Sequence, residues 1–119
     1  MLFRSAHVRA RSRALDIALA DADAAVALAP TDSWPLEVRG TIHRLRGEPA
    51  RAKPDFDRMV VLVPSSPAGY IQRAGALSDL RQLAGAIADY DAALAREPRS
   101  ALALSGDRKS TRLNSSHRT

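Results

Sequence analysis

The chain contains no cysteine, and aromatic residues make up only 4% of its 119 positions. Without cysteine, disulfide bonds and thiol chemistry are excluded, and the compartment stays open, with the cytoplasm as the default expectation. Few aromatic residues, with alanine carrying much of the apolar total, predict a thin hydrophobic core. No apolar run approaches the roughly 18 residues that a membrane-spanning helix needs, so no membrane span is predicted.

Acidic residues are also fewer than basic ones, with 13 against 18 and a net charge of +5. A basic surplus ordinarily points to nucleic acid or to an acidic surface as the partner. Here residues 1–5 contribute +1 and residues 107–119 contribute +3, which leaves +1 for residues 6–106. We therefore do not expect nucleic acid as the main partner. The 16 arginines against two lysines, together with the many alanines, indicate a GC-rich, bacterial coding sequence.

Three prolines recur at a spacing of 34 residues, at Pro30, Pro64 and Pro98. An Asp-x-Asp pair precedes each proline at the same distance, at residues 21–23, 55–57 and 89–91. A fixed period in this range is typical of stacked helical repeats, in which each unit contacts only its neighbours. Because proline ends a helix, each of the three is expected to mark the boundary between two units.

The period and the small residues within it resemble the tetratricopeptide repeat (TPR), a helix-turn-helix unit of this length. In the second repeat the resemblance rests on Leu36, Gly40, His43, Gly47, Ala52, Phe56, Met59 and Pro64. In the third it rests on Tyr70, Ala74, Leu77, Arg81, Ala86, Tyr90, Ala93 and Pro98, and in the first on Ala18, Ala22, Ala25 and Pro30. Arg81 replaces the turn glycine, and Met59 fills a position that favours alanine. The resemblance implies an all-α, TPR-like helix-turn-helix solenoid of about two and a half repeats.

The two ends of the chain lie outside the repeat pattern and differ from its middle in their sequence. Back-translated, residues 107–117 look like a ligation adapter used in sequencing, and residues 1–5 look like the same adapter family in the other orientation. We therefore expect an adapter-derived start at 1–5, a TPR-like fragment at 6–106 and an adapter-derived disordered tail at 107–119. Within the fragment, the second helix of repeat one runs to about 30, repeat two covers about 33–66, repeat three about 67–100, and a truncated further helix 101–105.

Truncation of that further helix has a consequence for the end of the array. It should leave an apolar face exposed beside Ala86, Tyr90 and Ala93, through which we expect the chain to self-associate. Pro54 is a second weakness, because it falls inside an expected helix where the other repeats have Ala20 and Ala88.

No grouping of side chains points to catalysis. The Asp-x-Asp pairs lie in expected helices, where residues two apart point about 200° away from each other and cannot hold one ion. The pairs are therefore interpreted as solvated helix faces. The histidines at 7, 43 and 117 are not placed to share a metal, and His43 occupies a packing position. We expect no enzyme activity, no cofactor and no metal.

In TPR arrays the first helix of each repeat lines a concave surface, and the resemblance implies such a groove here. The implied groove residues are Trp34, Glu37, Val38, Thr41, Arg44, Leu45, Ile71, Gln72, Gly75 and Asp79. We expect a non-catalytic protein–protein interaction scaffold whose groove binds a peptide or a partner helix, with the partner unidentified.

Three other roles are conceivable for such a chain. Some TPR domains clamp the C-terminal carboxylate of a chaperone with basic and amide side chains, but Glu37 and Ile71 stand where such groups are needed, and we do not expect that role. One alternative is a docking or regulatory segment of a larger enzyme. A second is weak nucleic-acid binding through the run of Arg9, Arg11 and Arg13.

Overall fold

The computed structural model describes residues 2–117, and the side chains of residues 6–116. Those residues form helices and connecting turns without a strand, which confirms the all-α prediction. The helices are α1 (Leu2–Leu28), α2 (Ser33–Leu45), α3 (Pro49–Leu62), α4 (Ala68–Asp79), α5 (Leu83–Arg96) and α6 (Ala101–His117).

The helices stack in chain order, each against the next, into a curved array. In addition α2 contacts α4, and α4 contacts α6, whereas within the described residues α3 contacts neither α1 nor α5. The first helices of successive pairs therefore approach each other more closely than the second helices do. This difference places α2, α4 and α6 on the inner, concave side of the array. The α2–α3 and α4–α5 pairs are the two complete repeats, flanked by α1 and α6.

The core consists of two small clusters, each built around one aromatic ring. Phe56 is fully buried among Leu36, Ala52, Met59 and Ala76. The close fit depends on Gly40, since a Cβ there would lie 2.7 Å from Cζ of the Phe56 ring. The second cluster places Tyr90 among Ala74, Leu77, Ala86, Ala93 and Ala103. Both aromatic residues thus fill the packing positions that the repeat pattern predicted.

The turns between helices follow the local chemistry of the chain. Asp32 caps α2, because its Oδ1 accepts a hydrogen bond from the backbone N–H of Trp34 at 3.0 Å. Gly47, between α2 and α3, has a φ of +76°, which glycine adopts without strain. Arg81 occupies the equivalent turn between α4 and α5 with a φ of +62°.

The last helix contradicts the expectation of a disordered tail. Residues 107–117 continue α6, while residues 118 and 119 lie outside the described part of the chain. The helix packs on α5 because its inward positions are small: Ala103 and Ser110 are buried, and Gly106 leaves room for the Tyr90 ring. The face beside Tyr90 is therefore covered, and the expectation that it would be exposed is wrong.

The first helix is longer than the repeat pattern required, since α1 begins at Leu2. Its first half projects beyond the packed part, and residues 6–14 are all exposed. Of the expected adapter-derived segment 1–5, residue 1 and the side chains of the others lie outside the described part. The adapter origin of both ends stays a prediction. Each helix within residues 2–117 is too short or too polar to traverse a lipid bilayer.

Candidate peptide-binding groove

Two polar bridges cross the seam between α2 and α4 on the concave side. Gln72 donates from Nε2 to Oε1 of Glu37 at 3.1 Å, and Arg44 donates from Nε to Oδ2 of Asp79 at 2.7 Å. Both pairs are 35 residues apart, one repeat plus one position, so corresponding places on neighbouring first helices face each other. Four of the sequence-predicted groove residues are thus brought together.

Arg44 is held in place by the shape of α4 as well as by its charge. Gly75 lies beneath its guanidinium, and a Cβ at Gly75 would lie 2.8 Å from Cζ of Arg44. The missing side chain lets the guanidinium lie against the backbone of α4 while Asp79 neutralises it. The groove therefore carries an ordered arginine whose charge is already partly satisfied.

A cavity of about 420 Å³ opens at the end of the groove nearest the α5–α6 connection. Three predicted residues line it: Glu37, Ile71 and Gln72. Pro67 and Ala68, at the start of α4, continue this side of the cavity. The other wall was not predicted and consists of Glu97, Arg99, Ser100, Ala101 and Leu102. Apolar side chains with a few polar groups at the edge are typical of binding cavities. The sequence signal that could have found this wall is the expected helix at 101–105, to which the repeat pattern had not been extended as a third groove helix.

The remaining predicted residues are spread along α2. Val38 and Thr41 are partly buried, and Trp34 is 65% exposed at the start of the helix. Leu45 lies at the other end of α2, 53% exposed, and lines a different cavity of about 360 Å³ between α1 and α2. The structure does not bring Trp34 or Leu45 to the cavity beside Ile71.

A second set of polar contacts lies between the repeats and was missed by sequence reasoning. Arg39 donates from Nε and Nη2 to both carboxylate oxygens of Asp55, at 2.9 and 2.7 Å. Its Nη1 reaches Oδ1 of Asp23, in the preceding second helix, at 3.3 Å. Paired N–H groups on one carboxylate give a fixed geometry as well as strength. One arginine thus joins two successive repeats.

The same arrangement recurs 34 residues later, and we call the two together the arginine ladder. Arg73 donates to both oxygens of Asp89, at 2.7 and 2.8 Å, and from Nη1 to Asp57 at 3.1 Å. The hydrogen bonds to Asp89 raise the pKa of the Arg73 guanidinium above its ordinary value, so it stays charged.

The ladder corrects the interpretation of the Asp-x-Asp pairs as solvated faces. Asp55 and Asp89 are only 5% and 8% exposed, because a neighbouring arginine neutralises each of them. The signal in the sequence was the 34-residue spacing of Arg39 and Arg73, each sixteen residues before its aspartate. The interpretation holds for Asp21 and Asp91, which are exposed.

The groove and its surroundings contain no side-chain set for metal binding. Among the described residues, no three histidine or acidic side chains come together as a metal site would require. His43 is buried, as its packing position predicted, with Nδ1 at 3.4 Å from Oε1 of Glu48. His7 is exposed on α1, and the side chain of His117 lies outside the described part.

No family model matches the sequence, and the curated proteins include no significant match. Solved structures do match. The first TPR domain of Spaghetti (RPAP3) bound to the HSP90 peptide SRMEEVD is 21% identical with a TM-score of 0.81, covering 94% of this chain and 89% of that one. The first TPR domain of human RPAP3 is 22% identical with a TM-score of 0.83, covering 95% and 89%. The second TPR domain of human RPAP3, in complex with the HSP70 peptide SGPTIEEVD, is 18% identical with a TM-score of 0.77, covering 85% and 84%. At these identities the likeness shows the fold alone, and the chain has the fold of tetratricopeptide repeat domains.

Proposed function

We propose that this chain is a non-catalytic interaction module that binds an extended peptide or a partner helix on the concave surface of α2, α4 and α6. The observation that carries the proposal is the cavity of about 420 Å³ beside Ile71, whose apolar wall is edged by a few polar side chains. Such a site takes an apolar side chain of the ligand and orients it through polar contacts. Two of the similar TPR domains were solved with peptides bound, which supports a peptide as the ligand class.

The charges around this cavity favour a peptide unlike those two. Both of those peptides end in Glu-Glu-Val-Asp and carry several negative charges. In this chain two carboxylates, Glu37 and Glu97, line the cavity against one guanidinium, Arg99, so its lining carries a net negative charge. Arg44, further along α2, is already paired with Asp79. A negative peptide would therefore meet a like charge, whereas a lysine or arginine side chain would meet a carboxylate. We propose an apolar segment with a basic residue as the ligand.

The test compares two fluorescent peptides by anisotropy: SRMEEVD and a version whose acidic residues are replaced by lysine. The intact chain should prefer the lysine peptide, and Glu37→Gln should remove the preference because it keeps the shape but loses the charge. Ile71→Ser should weaken binding about tenfold, which corresponds to about 1.4 kcal/mol. Asp21→Asn, on the exposed surface of α1, is the matched control and should leave the preference unchanged. Tighter binding of SRMEEVD, or no binding of either peptide, would contradict the proposal.

Neither alternative role gains support from a specific observation. The arginines at 9, 11 and 13 are exposed on α1, and a second exposed basic set lies on α6 at Arg108, Lys109 and Arg112. The two sets are at opposite ends of the array, since α1 packs on α2 and α6 packs on α4 and α5. They do not form the continuous basic surface on which nucleic-acid binding usually depends. A docking segment of a larger enzyme would use the same groove.

A further inference from the structure

Position 107 is the third member of the series to which Arg39 and Arg73 belong. The three positions are 34 residues apart, and each lies in the first helix of its repeat. The residues four positions before are Pro35, Gly69 and Ala103, and the residues three positions after are Ile42, Ala76 and Ser110; all six are buried. The shape of α6 at this seam therefore repeats that of α2 and α4.

The charge at position 107 does not repeat. In the arginine ladder, Nη1 of each arginine reaches back to the second aspartate of the preceding pair, at 3.3 Å for Asp23 and 3.1 Å for Asp57. The corresponding aspartate is Asp91, and the residue that α6 places beside it is Asp107. Oδ1 of Asp107 is buried without a hydrogen-bond partner. Burial and the neighbouring Asp91 both raise the pKa of Asp107. A partly buried carboxylate beside another carboxylate is unfavourable when both are charged, whereas the two earlier seams each join a carboxylate to a guanidinium.

We propose that the α5 surface beside Tyr90 and Asp91 is a docking site for a helix that carries an arginine at the position of Asp107. The occupant is the first helix of a following repeat, with a small residue four positions before the arginine and a small or apolar one three positions after it. Two observations point to this occupant. At each of the two earlier seams an arginine of the first helix binds the aspartate that corresponds to Asp91, and an arginine at position 107 would complement the negative charge of Asp91. A following second helix would add an aspartate sixteen residues after the arginine, as Asp55 and Asp89 do. Helix α6 fills the shape of this site but not its charge.

The test is a double-mutant cycle in the full chain at pH 7 and low salt. It compares Asp107→Arg and Asp107→Asn in the parent chain with the same two substitutions in the Asp91→Asn background. The Asp107→Asn variant removes the repulsion and keeps the shape of the side chain. The further rise in melting temperature of the Asp107→Arg variant therefore measures the interaction of the arginine with Asp91. We expect Asp107→Arg to raise the melting temperature about 3 °C more than Asp107→Asn, as for a moderately exposed ion pair. The backbone amides of α6 should also exchange their hydrogens more slowly in Asp107→Arg than in Asp107→Asn.

The cycle separates recognition from the loss of one negative charge. In the Asp91→Asn background the additional gain of the arginine should vanish, and in the intact background it should shrink in high salt. Equal melting temperatures for Asp107→Arg and Asp107→Asn would overturn the proposal, because the site would then not distinguish a guanidinium from a neutral group. A gain that persists without Asp91 would overturn it as well.

Discussion

Arg81 is held in a backbone conformation that suits glycine. Its φ of +62° lies in the left-handed region, which costs a residue with a Cβ roughly 1–2 kcal/mol. The equivalent residue one repeat earlier is Gly47, at +76°. We expect Arg81→Gly to stabilise the chain by about 1 kcal/mol, less the flexibility that glycine adds to the unfolded chain. Urea denaturation measures the change.

Two controls separate backbone strain at Arg81 from side-chain effects. Arg81→Ala removes the side chain but keeps a Cβ, and should bring no comparable gain. Gly47→Ala introduces the strain where it is now absent, and should destabilise by about 1 kcal/mol. If the alanine and glycine variants at 81 are equally stable, backbone conformation is not the cause.

Asp107 should make the chain less stable as the pH rises, whereas an aspartate in an ion pair makes a protein more stable. Burial raises its pKa in the folded state above the ordinary 3.8, so the folded chain holds this proton more tightly than the unfolded chain. The contribution of this group to the free energy of unfolding therefore falls as pH rises through the window just above 3.8. We expect Asp107→Asn to be more stable than the parent chain at pH 7, with the difference shrinking below about pH 4. A difference that is constant with pH would contradict this.

The buried aspartates show where reasoning from sequence stops at the residue scale. The repeat predicted the packing positions of Phe56 and Tyr90, because ring size and small neighbours are local properties of the pattern. It did not predict the burial of Asp55 and Asp89, because an aspartate in a helix is ordinarily solvated. The arginine partner of Asp55 lies in a different helix, and only the packing of α2 on α3 brings Arg39 and Asp55 together.

At the scale of the helix, Pro54 is the main irregularity. It lies inside α3, which runs from Pro49 to Leu62, as the interior placement from sequence predicted. Proline there removes the backbone hydrogen bond to the carbonyl of Ala50 and crowds the preceding turn, at a cost of about 3 kcal/mol. We expect Pro54→Ala to raise the free energy of unfolding by an amount of this order. Thermal and urea melts measure it.

Pro49 provides the matched control for Pro54. It is the first residue of α3, where a backbone N–H has no partner within the helix and proline is well tolerated. Pro49→Ala should therefore change stability little. Equal changes in stability at positions 49 and 54 would show that Pro54 does not carry the cost of a proline in the interior of a helix.

The helices differ in how far the sequence determined them. The ends of the second helices follow from the three prolines, since α1, α3 and α5 each end two residues before Pro30, Pro64 or Pro98. The sequence predicted these boundaries between repeats but not the bounds of each helix. The extent of α6 did not follow, because its composition after residue 106 is polar and its stability comes from the α5 surface that it covers. The wall that Arg99 and Leu102 add to the candidate groove was missed for a different reason. A helix at 101–105 was expected, but groove residues were assigned only to the first helices of repeats two and three.

At the scale of the whole molecule, the array is continuous from α1 to α6, but its seams are unequal. The α1–α2 and α3–α4 seams are each crossed by an arginine of the ladder, while the α5–α6 seam sets Asp107 against Asp91. Since the units of such an array contact only their neighbours, its stability is roughly a sum over seams. The α5–α6 seam should open first, and with it the wall of the groove that Leu102 provides.

Deleting residues 107–119 tests this view of the array. The deletion leaves residues 101–106, too few to form a stable helix, and removes the buried Ser110. Tyr90 would become exposed together with Ala86 and Ala93, and re-exposing one large side chain alone costs about 1.5–3 kcal/mol. We expect the shortened chain to melt at a lower temperature and to self-associate through the uncovered α5 face, whereas the full chain has this face covered.

Sedimentation velocity over a range of concentrations, paired with thermal melts, gives the answer. The substitution Lys109→Ala, at an exposed position of α6, is the control and should leave both the melting temperature and the sedimentation coefficient nearly unchanged. If deleting 107–119 alters neither property, α6 contributes nothing after residue 106 and the disordered tail expected from the sequence is the better description. If the full chain associates as strongly as the shortened one, the surface responsible is not the one that α6 covers. The exposed apolar side chains of α1, Val8 and Ile17, would then be the next surface to examine.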